Sequence, residues 1–122
     1  MKTNNFTMRV CLKNKRILLN RATIAMLGNP SHLSFWFDEN NGRLIFAPAT
    51  QDELDSYEIP HYYWRDKNQS CEIARIAFLK ALQYSFGWKD GSKYLFLGAF
   101  AETGGVPAII FHMNEGVNLP DT

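Results

Sequence analysis

Arg16-Ile17-Leu18-Leu19-Asn20-Arg21-Ala22-Thr23-Ile24-Ala25-Met26-Leu27-Gly28 is the stretch on which the reading of this 122-residue chain turns. A cation leads a short apolar run. Asn20 then suits a helix N-cap, because its side-chain oxygen can accept an orphan N–H of the first turn. The expected helix is Arg21 to Leu27, with Ile24 and Leu27 on one face. Gly28 stops it, since glycine takes the left-handed conformation at low cost. Asn29-Pro30 confirms the break.

Upstream, Met8 to Lys13 alternates. Met8, Val10 and Leu12 face one way, and Arg9, Cys11 and Lys13 the other, which is the period of a half-buried strand. Asn14-Lys15 is a turn signal. Downstream, His32 to Phe37 and Arg43 to Ala47 read as a hairpin across Asp38-Glu39-Asn40-Asn41-Gly42, where Asn41-Gly42 suits positive φ. Residues 49–61 are acidic and polar, a connector. Residues 62–69 stay undecided between a short strand and an aromatic plug. Ser70 reads as the cap of a second helix, Cys71 to Phe86, stopped by Gly87. That helix is apolar over so much of its circumference that it should be largely buried. Tyr94 to Phe100 and Val106 to Met113 form a second hairpin, and residues 114–122 a polar tail.

Helix, glycine stop and hairpin thus occur twice. The expected fold class is α+β, a strand–helix–hairpin unit followed by a second helix–hairpin unit. Whether the second is a divergent repeat or a common α+β pairing stays open. The boundaries are 1–48 for a basic unit, 49–69 for the connector and 70–122 for the helix–hairpin unit, packed as one compact domain of ordinary size.

The net charge of +1 conceals a segregation. Residues 1–37 carry six basic residues, Lys2, Arg9, Lys13, Lys15, Arg16 and Arg21, and no acid. The remaining residues carry seven basic and twelve acidic groups. A local positive potential of this kind favours phosphate contacts, which release counterions. The competing expectation is that the basic segment pairs with the acidic connector around Asp52, Glu53, Asp55 and Glu58.

Other classes have little support. No stretch reaches the ~18 apolar residues of a membrane span. The first six residues lack an apolar h-region, so a signal peptide is not expected. Cys11 and Cys71 are far apart and lack metal spacing, which suits reduced thiols in a cytoplasmic protein. His32, His61 and His112 stand at no ligand spacing from one another or from a cysteine, so no metal is expected. No nucleophile elbow, phosphate loop or dinucleotide fingerprint is present. The expectation is a protein that is not an enzyme and needs no cofactor.

Arg16-Ile17, Leu19, Arg21 and Leu27-Gly28 fall in a register that resembles the AbrB/MazE-like swapped-hairpin transcription regulators. Their core reads G-R-[IV]-x-[IL]-P-K-x-x-R-x-x-L-G before a hairpin. The likeness covers residues 8–48. Lys15 stands where the pattern has Gly, Asn20 where it has Pro, and Ile24 where it has Arg. The resemblance implies a barrel of interleaved hairpins from two chains, hence a homodimer; if residues 71–113 form a second, divergent unit, the pairing lies within one chain instead. It implies double-stranded DNA as partner and a role in transcriptional control or as an antitoxin-like partner of another protein. By position, Arg16 and Arg21 would touch base edges, with Arg9, Lys13 and Lys15 as basic neighbours. The alternative class is a protein-interaction or assembly module that keeps the fold without binding DNA.

Overall fold

A computed structural model describes residues 5–120 of the chain; Lys2 lies outside them. In chain order the elements are β1 (Phe6–Cys11), β2 (Arg16–Leu19), α1 (Arg21–Met26), β3 (His32–Asp38), β4 (Arg43–Ala49), β5 (Tyr57–Glu58), α2 (His61–Arg65), β6 (Cys71–Ile73), α3 (Ile76–Phe86), β7 (Lys93–Thr103), β8 (Val106–His112) and β9 (Val117–Leu119). A 3-10 turn, Met113–Glu115, separates β8 from β9.

All nine strands belong to one antiparallel sheet in the order β5-β3-β4-β8-β7-β1-β2-β6, and β9 pairs with β7. This corrects the expected fold class. The chain is mostly β, a nearly closed barrel-like sheet with three short helices, not an α+β unit followed by a helix–hairpin unit. The two hairpins are zipped to each other. β4 pairs with β8 from Arg43↔His112 to Phe46↔Ile109, and β1 pairs with β7 from Phe6↔Gly98 to Cys11↔Lys93. Of the two arrangements left open, pairing between chains or within one, the strand edges follow the second, so the homodimer loses that basis.

The last seam, between β5 and β6, carries no ladder. The Tyr57 hydroxyl bridges it, donating to the Glu72 carbonyl at 3.1 Å and accepting from the Ala74 N–H at 3.2 Å.

Alternation decides what fills the barrel. Met8, Val10, Ile17, Leu19, Leu33, Leu44, Phe46, Phe96, Ile109 and Phe111 point inward and are buried. Ile24 and Leu27 from α1, Tyr63 from α2, and Leu79 and Leu82 from α3 complete the core. Gly98 is required by this packing. A Cβ there would stand 2.7 Å from Phe111 Cε1 and 2.9 Å from Ile109 Cγ2.

Several local expectations hold. Asn20 is the N-cap of α1, its Oδ1 accepting from Thr23 N at 3.1 Å. The same oxygen accepts from Thr7 N at 3.2 Å, and Nδ2 donates to the Asn5 carbonyl at 2.8 Å, so the cap also ties α1 to β1. The first hairpin stands with Asp38 opposite Arg43. Gly87 ends α3 in the left-handed conformation at φ 65°.

Others need correction. Cys71–Ile73 is a strand, not the start of a helix, and α3 begins at Ile76 without a side-chain cap, so Ser70 is no cap. Period two in Cys71 and Ile73 fits the edge that β2 offers, and that pairing outweighs the weak helical pattern. The helix lies on the surface rather than being largely buried. Only Leu79 and Leu82 are buried, Ile76 is 47% exposed and Tyr84 is 91% exposed. Residues 62–69 are not a strand but mostly α2 and its exit turn, and Tyr63 of that helix is the aromatic ring that plugs the core. The connector contains β5, and the polar tail contains β9.

Candidate nucleic-acid interface

The β1–β2 turn and the link from α3 into β7 meet at one end of the barrel. Leu12 N donates to the Ser92 carbonyl at 3.0 Å, and Cys11 stands opposite Lys93. Lys13, Lys15, Asp90 and Gly91 line one cleft of about 500 Å³. Lys89, Asp90, Ser92 and Lys93 line the next, of about 330 Å³. Lys13 and Lys15 are exposed, as is Lys89, and Arg16 is half-buried beside them.

The floor under this end is rigid. Trp88 stacks on Phe86 at 5.4 Å and on Tyr94 at 5.0 Å between ring centroids. These contacts fix the loop that carries Lys89 and Asp90. Gln83 Nε2 donates to the Asp90 carboxylate at 2.7 Å and to the Trp88 carbonyl at 3.1 Å. Lys15 is held at φ 55°, a conformation that lysine adopts at a cost. A strained cation thus stands at the turn where glycine would sit freely.

Arg16 belongs to the same end. Its Nε lies 3.7 Å from the Glu72 carboxylate, and both side chains are well exposed, so the pair is weak. Arg9 is exposed on the outer face of β1, between Leu18 of β2 and Leu95 of β7. It shares the outer surface with the turn without being part of it.

Arg21 is elsewhere. It opens α1, at the end of the barrel where Leu19 pairs with Cys71. Its Nη1 donates to the carbonyls of Tyr63 at 3.1 Å, Asp66 at 3.3 Å and Gln69 at 3.0 Å. Its guanidinium lies 4.0 Å from the centroid of the Tyr63 ring. Arg21 is therefore a clamp that fixes α2 and its exit turn. The fold does not bring it together with Lys13, Lys15 and Arg16.

No protein-family profile, curated protein or solved structure matches this chain.

Electrostatics follows the same division. Among the described residues the ion pairs are Arg16–Glu72, Arg43–Asp38 and His61–Glu58. None joins the basic segment to the acids at 52–58, so the expected pairing of basic segment with connector is not made. Asn41 and then Arg43, hydrogen-bonded to the Asp38 carboxylate, hold its pKa below the usual value. At the Arg21 end, burial and then the Glu72 carboxylate push the Cys71 thiol up to about 12. The same two causes push the Tyr62 phenol up to about 12. Burial raises Tyr63 as well, against the opposing pull of Arg21.

Among the described residues no group of three His, Cys, Asp or Glu side chains is placed to hold a metal ion. His32 contacts Ser31, His61 contacts Glu58, and His112 lies opposite Arg43, so the three histidines stand apart. Cys11 and Cys71 are free and buried.

Sequence reading missed Lys89 and Lys93. The signal was the turn Trp88-Lys89-Asp90-Gly91, which carries a cation at a hairpin-like corner. What the sequence could not supply was the partner strand that sets this corner beside Lys13.

Proposed function

We propose that this chain binds double-stranded DNA through the end formed by Lys13, Lys15, Arg16, Lys89 and Lys93, in transcriptional control or as an antitoxin-like partner. The observation that carries this reading is the convergence of five cations from two distant segments around only two carboxylates, Asp90 and Glu72. Asp90 lines both clefts and accepts from the neutral Gln83 amide, and Glu72 pairs loosely with Arg16, so the end stays net positive. Phosphate neutralisation by such a cluster supplies affinity without sequence preference. Lys15, kept at positive φ, presents its ammonium at the tip of the turn. Arg16 is the residue placed to read a base edge, since a guanidinium can pair bidentately with guanine. Arg9 adds a phosphate contact from the outer face. The resemblance of residues 8–48 to AbrB/MazE-like regulators is a second support for Arg16, Lys13 and Lys15; the other base contact it implies, Arg21, stands away from this end.

No cofactor and no catalytic residue enters this reading. It places the protein in the cytoplasm, in keeping with two unpaired thiols. Among the described residues no helix is long and apolar enough to cross a membrane.

The test is fluorescence anisotropy of a labelled duplex titrated at several salt concentrations. The wild type should bind at low salt, with log affinity falling linearly in log salt. Lys13→Glu with Lys15→Glu should abolish that binding while leaving the melting temperature unchanged. Absence of binding at low salt, or equal binding by the variant, overturns the proposal.

A further inference from the structure

Where the start of α3 meets β3, beside the open seam between β5 and β6, the surface folds into a cleft of about 570 Å³. It is larger than either cleft at the basic end. Its walls are apolar. Phe35 of β3 and Phe78 of α3 meet edge to face at 5.0 Å between ring centroids, and Phe35 also meets the Tyr57 ring at 6.3 Å. Ile76 and Ala77, in the first turn of α3, complete the lining, and Ile76 is 47% exposed.

Two opposite charges line the same cleft, Arg75 and Asp55. The Arg75 guanidinium lies 5.0 Å from the Tyr57 ring centroid and donates from Nη2 to the Ser56 carbonyl at 3.3 Å. These contacts fix its position and leave most of its five N–H donors open. Asp55 is exposed and held at φ 63°, a conformation that Asp and Asn tolerate better than most residues. Among the described residues the ion pairs lie elsewhere, so neither charge has an ionic partner and the two do not close on each other.

We propose that this cleft binds a free α-amino acid with a large apolar side chain, of the leucine or phenylalanine kind. The ligand's carboxylate meets Arg75, whose planar fork suits it. Its ammonium meets Asp55. Its side chain covers Phe35, Ile76 and Phe78. An apolar acid without the amine would set a second carboxylate near Asp55, and an apolar amine would set a second cation near Arg75. A zwitterion satisfies both charges at once. The volume falls in the range of small-ligand sites, roughly 300–1,000 Å³, and an apolar lining with a few placed polar groups is their usual make-up. The inference does not rest on DNA binding, since no residue of this cleft belongs to the Lys13–Lys15 end.

The experiment is a nuclear magnetic resonance titration of the isotope-labelled full chain, followed through its backbone amides. The probes are L-phenylalanine, L-leucine, 3-phenylpropanoate, which lacks the amine, and 2-phenylethylamine, which lacks the carboxylate. Both amino acids should bind saturably, with Kd of about 1 mM or tighter, and shift amides around Asp55 and Ala74 to Phe78. Each truncated probe should bind at least tenfold more weakly. Asp55→Asn keeps a residue that accepts the backbone conformation. It should weaken phenylalanine at least tenfold and leave 3-phenylpropanoate no weaker than before. Ala77→Trp, at an exposed helical position, should fill the cleft and abolish binding while the spectrum stays that of the folded protein. Arg75→Gln should weaken both amino acids at least tenfold, with folding verified by the same spectrum. Absence of saturable binding, shifts confined to other parts of the chain, a truncated probe as tight as phenylalanine, or Asp55→Asn and Ala77→Trp variants that bind like wild type each overturns the proposal.

Discussion

Arg21 and Lys15 come from the same short acid-free stretch, and the fold uses them in opposite ways. Arg21 is turned inward over Tyr63 and surrounded by three carbonyls of the α2 region. Lys15 is turned out at the tip of a tight turn and held in a backbone conformation it does not favour. Charge alone does not distinguish them. Geometry does: a planar guanidinium suits several carbonyls at once, whereas a flexible ammonium suits a passing phosphate. One end of the barrel is thus built for stability and the other for contact, and the two should respond to different perturbations.

The largest difference is expected on raising the pH. At the Arg21 end, Cys71 and Tyr62 are both pushed up to about 12, and Tyr63 is also raised. Each has a folded pKa above its unfolded value. The stabilisation from keeping them protonated is complete below about pH 9 and is lost as pH rises through the folded values. Chemical denaturation from pH 8 to pH 11 should show stability falling steadily, and Cys71→Ala should flatten the upper part of that curve. A curve that stays level would contradict the burial described for these groups.

Next comes Arg21→Ala. It removes hydrogen bonds from a charged donor and a cation–π contact, and it leaves carbonyls without partners. A loss of about 3 kcal/mol is expected in urea denaturation. Arg21→Lys should recover only part, because an ammonium lacks the planar fork. DNA affinity of either variant, measured well below its melting temperature, should change little. A large drop in affinity with little loss of stability would reverse the roles assigned to the two ends.

Lys15→Gly should act in the other direction on the two properties. Glycine relieves the positive-φ strain and should stabilise the fold by about 1 kcal/mol. It should also weaken DNA binding several-fold and reduce the salt slope by about one unit. The smallest effect is expected at Arg16 and Glu72. The exposed 3.7 Å pair contributes under about 1 kcal/mol, so Glu72→Gln should barely move the melting temperature. It should nonetheless strengthen DNA binding slightly by freeing Arg16.

These contrasts also show where the sequence was readable. The Asn20 cap, the Gly87 stop and the first hairpin are local devices, and each is set by residues within a few positions. Cys71–Ile73 was misread because three apolar-alternating residues fit a helix or a strand equally, and only the exposed edge of β2 decides between them. The β4–β8 and β1–β7 pairings join residues far apart in the chain, and nothing in short-range pattern marks them. The same limit applies to the candidate site. Lys13, Lys15 and Arg16 were legible as a basic turn. Lys89 and Lys93 join them only through the β1–β7 register, and Arg21 leaves them because the fold needs a cation under α2.

The Tyr57 hydroxyl has a consequence for how the barrel breathes. Every other junction between strands is a ladder of backbone bonds, but β5 and β6 are joined by side chains, the Tyr57 phenol and Arg75, whose Nη2 donates to the Ser56 carbonyl at 3.3 Å. Opening there breaks side-chain contacts and no backbone ladder. Amide exchange should therefore begin along this line, at Ala74 and the two residues of β5. Tyr57→Phe should hasten it there while leaving the β4–β8 amides as slow as before. A closed cylinder has no first place to fray; this one has a placket.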